Sequence, residues 1–291
     1  MLAVGALIVL LIVQQQQLIK LPGSGRFADA LPDALHGSWF ACVTWVVLLF
    51  VARWTRRDAA IAVTVLIGLC IAVGTELLQK ITGGDAELGD VFFDMFGLAA
   101  ALCFWCARQK MIAPRLGVGL AIVLLVGSLG PGLRAVLIER YRDSIAPELV
   151  RFDSSYTGDL IGSSSAVEVV SAPEGWSIEG PVLKVTLAGD IWPGVHLDDP
   201  IADWRAYSEL DIDAFVEGSA PMPITVSVRI DHVAVDHVYR QFRCAPGPCR
   251  LQLPFADLFD REVARVNAVV IFSTRANAGR VFYLGRVALR A

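Results

Sequence analysis

Carboxylates gather where an otherwise apolar sequence has least room for them. Glu76, Asp85, Glu87, Asp90 and Asp94 follow one another closely, with Lys80 as the single cation among them. On a helix Glu76 and Gln79 share a face at i, i+3, and Asp90, Asp94 and Gly97 share one at i, i+4, i+7. Asp33 and His36 repeat the i, i+3 spacing at the head of another apolar run. Three chemistries fit this pattern. As an enzyme, Glu76, Asp90, Asp94 and His36 would supply the general acid and base. As a binding site, Asp33, His36, Glu76, Gln79, Asp90 and Asp94 would line an outward-facing pocket for a lipid-linked or cell-wall precursor. As a cation site, the oxygens of Glu76, Asp85, Glu87, Asp90 and Asp94 suit Ca2+ or Mg2+, the only cofactors the pattern suggests. The plainer alternative is that Asp90 and Asp94 cap a helix start, where the dipole favours an acid by about 0.3–1 kcal/mol. Ionisable groups inside membrane spans mark function by default.

A second set of residues is aromatic. Trp176, Trp192, Trp204, Tyr207 and Tyr239 can stack on sugar rings, since an aromatic face meets the apolar C–H face of a sugar. The competing role for Trp204 and Tyr207 is core packing. His196, Asp231-His232 and Asp236-His237 read as polar loop residues, because a spacing of five on a strand puts the two pairs on opposite faces. Cys103 and Cys106 read as small packing hydrophobes within an apolar run. Cys244 and Cys249 bracket Ala-Pro-Gly-Pro, a turn that brings two Cα atoms within disulfide reach in an oxidising compartment. Nucleophile elbows, P-loops and zincin motifs are absent from the sequence.

The elements that must position these residues belong to two solvents. The chain has 291 residues, 55% of them hydrophobic and 19% charged, with a mean hydropathy of +0.57. That excludes disorder and an ordinary water-soluble domain. Residues 1–138 carry 10 basic and 8 acidic side chains, and 139–291 carry 15 and 21. With a net charge of −4 and no basic stripe, nucleic acid is excluded as a partner.

A transmembrane helix needs about 17–25 mostly apolar residues. The expected spans are 36–52, 59–79, 91–107 and 116–138, with a kink at Pro131-Gly132. A shorter segment, 2–19, is either a span that carries Gln14–Gln17 into the interface or the remnant of a chain that starts further upstream. A cleaved signal peptide fits less well, since the segment has no basic start and no small-residue cleavage site. Arg53, Arg56 and Arg57, and Arg108, Lys110 and Arg115, mark two cytoplasmic loops. Threading through five spans puts the N-terminus in the cytoplasm and everything after 138 outside a bacterial inner membrane. Inverted repeats and broken helices of a transporter are not evident.

Beyond Val150 the runs shorten and alternate. Candidate strands are 166–171, 182–187, 194–197, 209–215, 224–230, 238–242, 250–253, 268–273 and 280–289, with one helical turn at 254–259. The fold expected is an α-helical transmembrane bundle of about five spans over 1–140, a linker over 141–165, and an all-β jelly-roll sandwich over 166–291.

Two resemblances follow from these residues. His36, Glu76, Gln79, Asp90 and Gly97 resemble the motif series of the VanZ-like membrane family, although Gly84 beside Asp85 stands where the family has Arg and Asp94 where it has Asn. That resemblance implies a cell-envelope role linked to cell-wall metabolism or glycopeptide (teicoplanin) resistance, with no assigned reaction. The runs Asp190–Val195, Asp203–Tyr207, Leu210–Asp213, Val228–Asp231 and Tyr283–Val287 resemble carbohydrate-binding-module-like, galactose-binding-like jelly rolls, which commonly carry Asp where this chain has Gly285. That resemblance implies glycan binding. The sequence therefore reads as a non-enzymatic anchor presenting a glycan-binding domain to cell-wall glycan, or as a membrane enzyme acting on a lipid or lipid-linked sugar.

Overall fold

The structure is a computed structural model that describes residues 26–82, 88–230, 237–258 and 265–291. The chain divides into two compact units, Met1–Val136 and Leu137–Ala291.

The first unit is helical: α1 (Arg26–Val51), α2 (Arg57–Thr82), α3 (Leu88–Arg108), α4 (Pro114–Ser128) and the start of α5 (Gly130–Ile145). The helix ends carry the charges that their dipoles favour, Asp58 and Asp90 in first turns and Lys80 and Arg108 in last turns. Pro114 opens α4, where its missing N–H costs nothing. At the centre lies α3, packed against α1, α2 and α4. It runs parallel to α1: Gly97 meets Gly37, and the Trp45 ring lies 5.3 Å from Phe104 and 5.7 Å from Trp105. Phe40, Ala72 and Leu98 join α1, α2 and α3, while Val47, Val51 and Ala60 close α1 on α2. Leu66, Val73, Leu77, Ile81, Val123 and Val126 face outward and exposed, the arrangement a lipid solvent selects.

Among the described residues three helices are long and apolar enough to cross a membrane: Ala34–Val51, Arg57–Ile81 and Gly89–Arg108. The pair α4–α5, bent by 47°, makes a fourth candidate. The expected span at 2–19 lies outside the described residues. The expected last span, 116–138, is corrected at both features. Its break falls at Leu129, and the helix beyond continues to Ile145. Leu129 donates to Val126 instead of Leu125, Ser128 Oγ donates to the Leu125 carbonyl at 2.8 Å, and Pro131 has no N–H to extend the ladder.

The second unit is a two-sheet antiparallel sandwich. Its strands are β1 (Glu148–Val150), β2 (Ile161–Ser163), β3 (Ala166–Ser171), β4 (Pro181–Thr186), β5 (Gly194–Asp198), β6 (Glu209–Val216), β7 (Met222–Ile230), β8 (His237–Cys244), β9 (Gly247–Pro254), β10 (Val266–Phe272) and β11 (Val281–Arg290). One sheet runs β3-β4-β11-β6-β9 with β1 also on β11; the other runs β2-β5-β10-β7-β8. Leu210, Ile212, Ala214 and Val216 alternate inward along β6, as Met222, Ile224, Val226 and Val228 do along β7. Cys244 and Cys249 are bonded, with Cα atoms 5.7 Å apart, across the turn that carries the chain from the end of one sheet to the end of the other.

The stretch 141–165 is not a linker. It supplies β1 to β11 and β2 to β5, and it places Leu149, Val150, Phe152 and Leu160 in the core. Ile138 and Tyr141 of α5 join the same core, so the sandwich begins well before residue 166.

On the outward face of the first sheet, Asp211 is fully buried beneath three arginines. Arg250 grips it with two bonds of 2.6 and 2.7 Å, Arg290 Nε lies at 2.6 Å, and Arg286 Nη2 at 3.2 Å. Burial would raise this carboxyl, but Arg250, with Arg290 and Arg286, holds it below its ordinary range. Asp211 thus ties β6 to β9 and to β11. Replacing Asp211 by Ala is expected to lower the stability of a soluble 137–291 fragment by about 2–3 kcal/mol in urea unfolding. Asp211→Asn should lose most of the same amount, because it keeps the shape and not the charge.

Candidate functional site

Among the described residues of the helical unit, one pair of the expected residues meets across two helices. His36 on α1 and Asp94 on α3 meet with Nδ1 3.5 Å from Oδ1, Asp94 being wholly buried and His36 partly. Glycines make the approach possible. A Cβ on Gly97 would strike the Gly37 carbonyl oxygen and lie 2.8 Å from the Ala41 nitrogen, and one on Gly37 would strike Ser128 of α4. Gly37 and Gly97 therefore let α1, α3 and α4 converge at the level of the His36–Asp94 pair.

The other expected members are placed separately. Glu76 and Gln79 are half-buried on α2, where the Gln79 amide nitrogen donates to both Glu76 carboxylate oxygens at 3.2 Å. Asp90 is half-buried in the first turn of α3, the position where an acid offsets the helix dipole. Asp85, Glu87 and the side chain of Asp33 lie outside the described residues, as do Asp231, His232, Asp236 and the side chain of His237. Among the described residues no three His, Cys, Asp or Glu side chains converge as a metal ion would require, so Glu76, Asp90 and Asp94 do not by themselves make the expected Ca2+ or Mg2+ site. Cys103 and Cys106 are free thiols packed in α3.

In the sandwich the five expected aromatics divide among three places. Trp204 is a core residue: its side chain is fully buried, stacked on Phe255 at 5.2 Å, with its indole N–H donating to the Ile201 carbonyl at 2.5 Å. Stacking on a sugar would require unfolding, so the expectation for Trp204 is corrected. Tyr207 is half-buried against the same core.

Trp176 covers the outward face of the β3–β9 sheet, 5.6 Å from Phe215 and over Gly285. A Cβ at Gly285 would strike Ile178 and lie 3.0 Å from the Trp176 ring, which is the physical reason no larger residue stands there. Beside it opens a polar cleft of about 670 Å³ lined by Glu148, Arg151, Asp153, Glu179, Asp213 and Arg286.

Trp192 and Tyr239 lie on the other sheet. Register places Tyr239, Ser227, Val270, His196 and Gly162 in one transverse row, and Gln241, Thr225, Phe272 and Gly194 in the next. Val226, Val228, Val269 and Ile271 point into the core, so these two rows form the outward face. Tyr239 is 66% exposed on the end strand β8. Trp192 is 61% exposed and sits edge-on against Phe272 at 5.5 Å. Between them Thr225 and Ser227 are buried, 6% and 5% exposed, while Gln241 in the same row as Thr225 is exposed on β8. Strands β8 and β5 lie three spacings apart, about 14 Å. Thr225, Ser227 and Phe272 went unremarked in the sequence, although the alternation of 224–230 sets the two hydroxyls opposite the core valines.

At the edge of that face His196 Nε2 lies 3.1 Å from Asp198 Oδ2, with the ring over Gly162. The bond from Asp198 raises the His196 pKa against the opposing effects of partial burial and of Arg229.

No known family model matches the chain, and no curated protein is similar to it. The likeness of the helical unit to the VanZ-like family therefore rests on motif spacing. Solved structures resemble half of this chain. A family 11 carbohydrate-binding module from Clostridium thermocellum, in complex with a β-1,3-1,4-mixed-linked tetrasaccharide, aligns with a TM-score of 0.39 and 15% identity over 50% of this chain and 95% of its own. A xylan-binding domain of family 22 aligns at 0.37 and 14% identity over 50% and 96%. An agarase aligns at 0.41 and 12% identity, and only 26% of its length is covered.

Replacing Gly97 by Leu is expected to force α1 from α3 and to lower the melting temperature of the full chain in detergent, whereas Gly74→Leu, with open space around it, should leave it nearly unchanged. In the sandwich, protonated His196 is favoured by folding. That contribution is complete below the ordinary imidazole pKa of about 6.5 and is lost as pH rises through the raised folded value. The stability advantage of the wild-type 137–291 fragment over His196→Gln should thus be larger at pH about 5.5 than at pH about 8.5 in urea unfolding.

Proposed function

We propose that this chain is an integral membrane protein of the cell envelope whose helical unit anchors a glycan-recognising sandwich on the outer side of a bacterial inner membrane. The observation that carries the reading is the outward face of the β2–β8 sheet, where exposed Trp192 and Tyr239 stand on either side of the Thr225 and Ser227 hydroxyls. Aromatic faces supply stacking area for pyranose rings and the polar side chains that reach solvent in the same two rows, Gln241 and His196, supply directional hydrogen bonds, the combination a neutral sugar requires. A separation of about 14 Å suits an oligosaccharide rather than a single ring.

Orientation is supported by two independent features. The basic turns at 53–57 and 108–115 favour the cytoplasmic side, and the Cys244–Cys249 bond suits an oxidising compartment. Five spans, with 2–19 as the first, put the N-terminus inside and the sandwich outside. The VanZ-like spacing of His36, Glu76, Gln79, Asp90 and Gly97 supports a cell-wall glycan as ligand and a link to glycopeptide (teicoplanin) resistance.

A second reading, an enzyme acting on a lipid or lipid-linked sugar, is favoured by one observation. Asp94 is wholly buried among helices with its carboxylate beside the His36 imidazole, a pairing that acid–base chemistry uses. On that reading Asp94→Asn abolishes function while the amount of folded protein in the membrane is unchanged.

The test is binding of the full chain in nanodiscs to an array of glycans and peptidoglycan fragments. Trp192→Ala and Tyr239→Ala are each expected to weaken binding roughly tenfold with near-unchanged circular dichroism, and Trp176→Ala to leave it intact. Loss on Trp176→Ala alone would move the site to the cleft of the other sheet. A folded chain that binds no glycan would overturn the recognition reading and leave the His36–Asp94 pair as the functional centre.

A further inference from the structure

The two ends of the helical unit differ sharply in charge. Because α1 and α3 run parallel with Gly37 against Gly97 and Trp45 against Phe104 and Trp105, their C-terminal ends reach the same level. The turn between α1 and α2 therefore lies at the same end as the turn between α3 and α4. The first carries Arg53, Arg56 and Arg57, the second Arg108, Lys110 and Arg115, all six of them exposed. Within 50–62 and 104–118 the one acid is Asp58, so six cations face a single carboxylate. None of the six makes an ion pair with any described residue. The turns themselves are firmly built: Val51 and Ala60 pack together beneath the first, and Gly117 lies so close to Ala107 and the Cys103 carbonyl that a Cβ there would sit 2.6–2.8 Å from them. Trp54, 79% exposed, stands among the arginines with Met111 at the second turn.

We infer that this end binds phospholipids with net-negative headgroups. Exposed, unneutralised guanidinium groups fixed at one level meet the phosphate oxygens of a headgroup bidentately. Trp54 has the amphipathic ring that settles at headgroup depth, and the exposed apolar sides of α2 and α4 meet the acyl chains below. Of the partners an anion-seeking patch can have, a lipid is the one that also covers the adjoining apolar surface. The inference rests on the membrane reading of the helical unit and is independent of glycan recognition.

The experiment reconstitutes the full chain into vesicles of phosphatidylcholine and phosphatidylglycerol, extracts it with mild detergent and measures the lipid that remains bound by mass spectrometry. Phosphatidylglycerol is expected to be enriched about fivefold over its bulk share, the factor one such cation supplies near an anionic surface. Enrichment should fall to the bulk ratio in R53Q/R56Q/R57Q combined with R108Q/K110Q/R115Q, and stay in the matching arginine-to-lysine set with Lys110 unaltered. Raising salt from about 0.05 M to about 1 M should reduce it in the unaltered chain, a readout that does not depend on how the variants insert. Bulk-ratio lipid on the wild-type chain, or enrichment that survives the glutamine set or the salt, overturns the proposal. Release of the chain from the vesicles by alkaline carbonate would overturn the membrane reading itself.

Discussion

Removal of apolar surface from water is the interaction on which both halves of this protein depend, and the two halves satisfy it in opposite directions. In the sandwich the apolar side chains turn inward, and Trp204, Leu210, Ile212, Met222 and Phe282 are lost to solvent between two sheets. In the helical unit many large apolar side chains of α2 and α4 turn outward, while Phe40, Leu48 and Leu98 are buried between the helices together with the small or polar Gly37, Gly97, Ala72, Thr44 and Asp94. Close approach adds to that burial, and glycines stand where α1 and α3 touch.

Each half also buries one carboxylate, and the contrast between them separates architecture from chemistry. Asp211 lies under three arginines whose guanidinium groups still reach water, so its charge is matched within the fold, with Arg250 tying β9 to β6 and Arg286 and Arg290 tying β11 to it. That is a structural joint, and the sheet face around it holds together because of it. Asp94 has one imidazole at 3.5 Å, and among the described residues no guanidinium pairs with it. A carboxylate held that lightly in a low-dielectric setting is costly to keep unless it does something, which is why the pair retains a place in the functional account.

Much of the fold was legible from pattern. All nine strands expected from alternation are present within a residue or three of their predicted ends, most of them because one face is buried in the core; β3 alternates in sequence although Val167 and Val169 stay exposed. The two missed strands, β1 and β2, are three residues long and too short to show a period, and Pro147, Gly158 and Gly162 around them read as loop. The charges Glu139, Arg140, Arg142 and Asp143 made the chain after Ile138 look like an exit from helix, yet Ile138 and Tyr141 recur at helical spacing and pack on the sandwich. The site was less legible. Spacing could place Asp94 and Gly97 on one helical face, but only packing reveals that Gly37 is the partner that brings His36 there. Exposure separated Trp192 and Tyr239 from Trp204, and composition offers no means to rank three aromatics by burial. The arginines of Asp211 come from β9 and β11, tens of residues away, and such contacts leave no local trace.

The bond between Cys244 and Cys249 does more than shorten a loop. It joins β8 and β9, the terminal strands of their respective sheets, at the corner where the chain passes from one to the other. An open sheet end offers unpaired backbone groups to any neighbouring chain. With that corner locked, the two sheets cannot splay apart there to expose the ends of β8 and β9. At the opposite end, β3 meets the same hazard with a charge, Glu168, set between the exposed Val167 and Val169. The sandwich thus meets the hazard of open sheet ends with a covalent clasp at the β8–β9 corner and with a charged side chain among the exposed valines of β3.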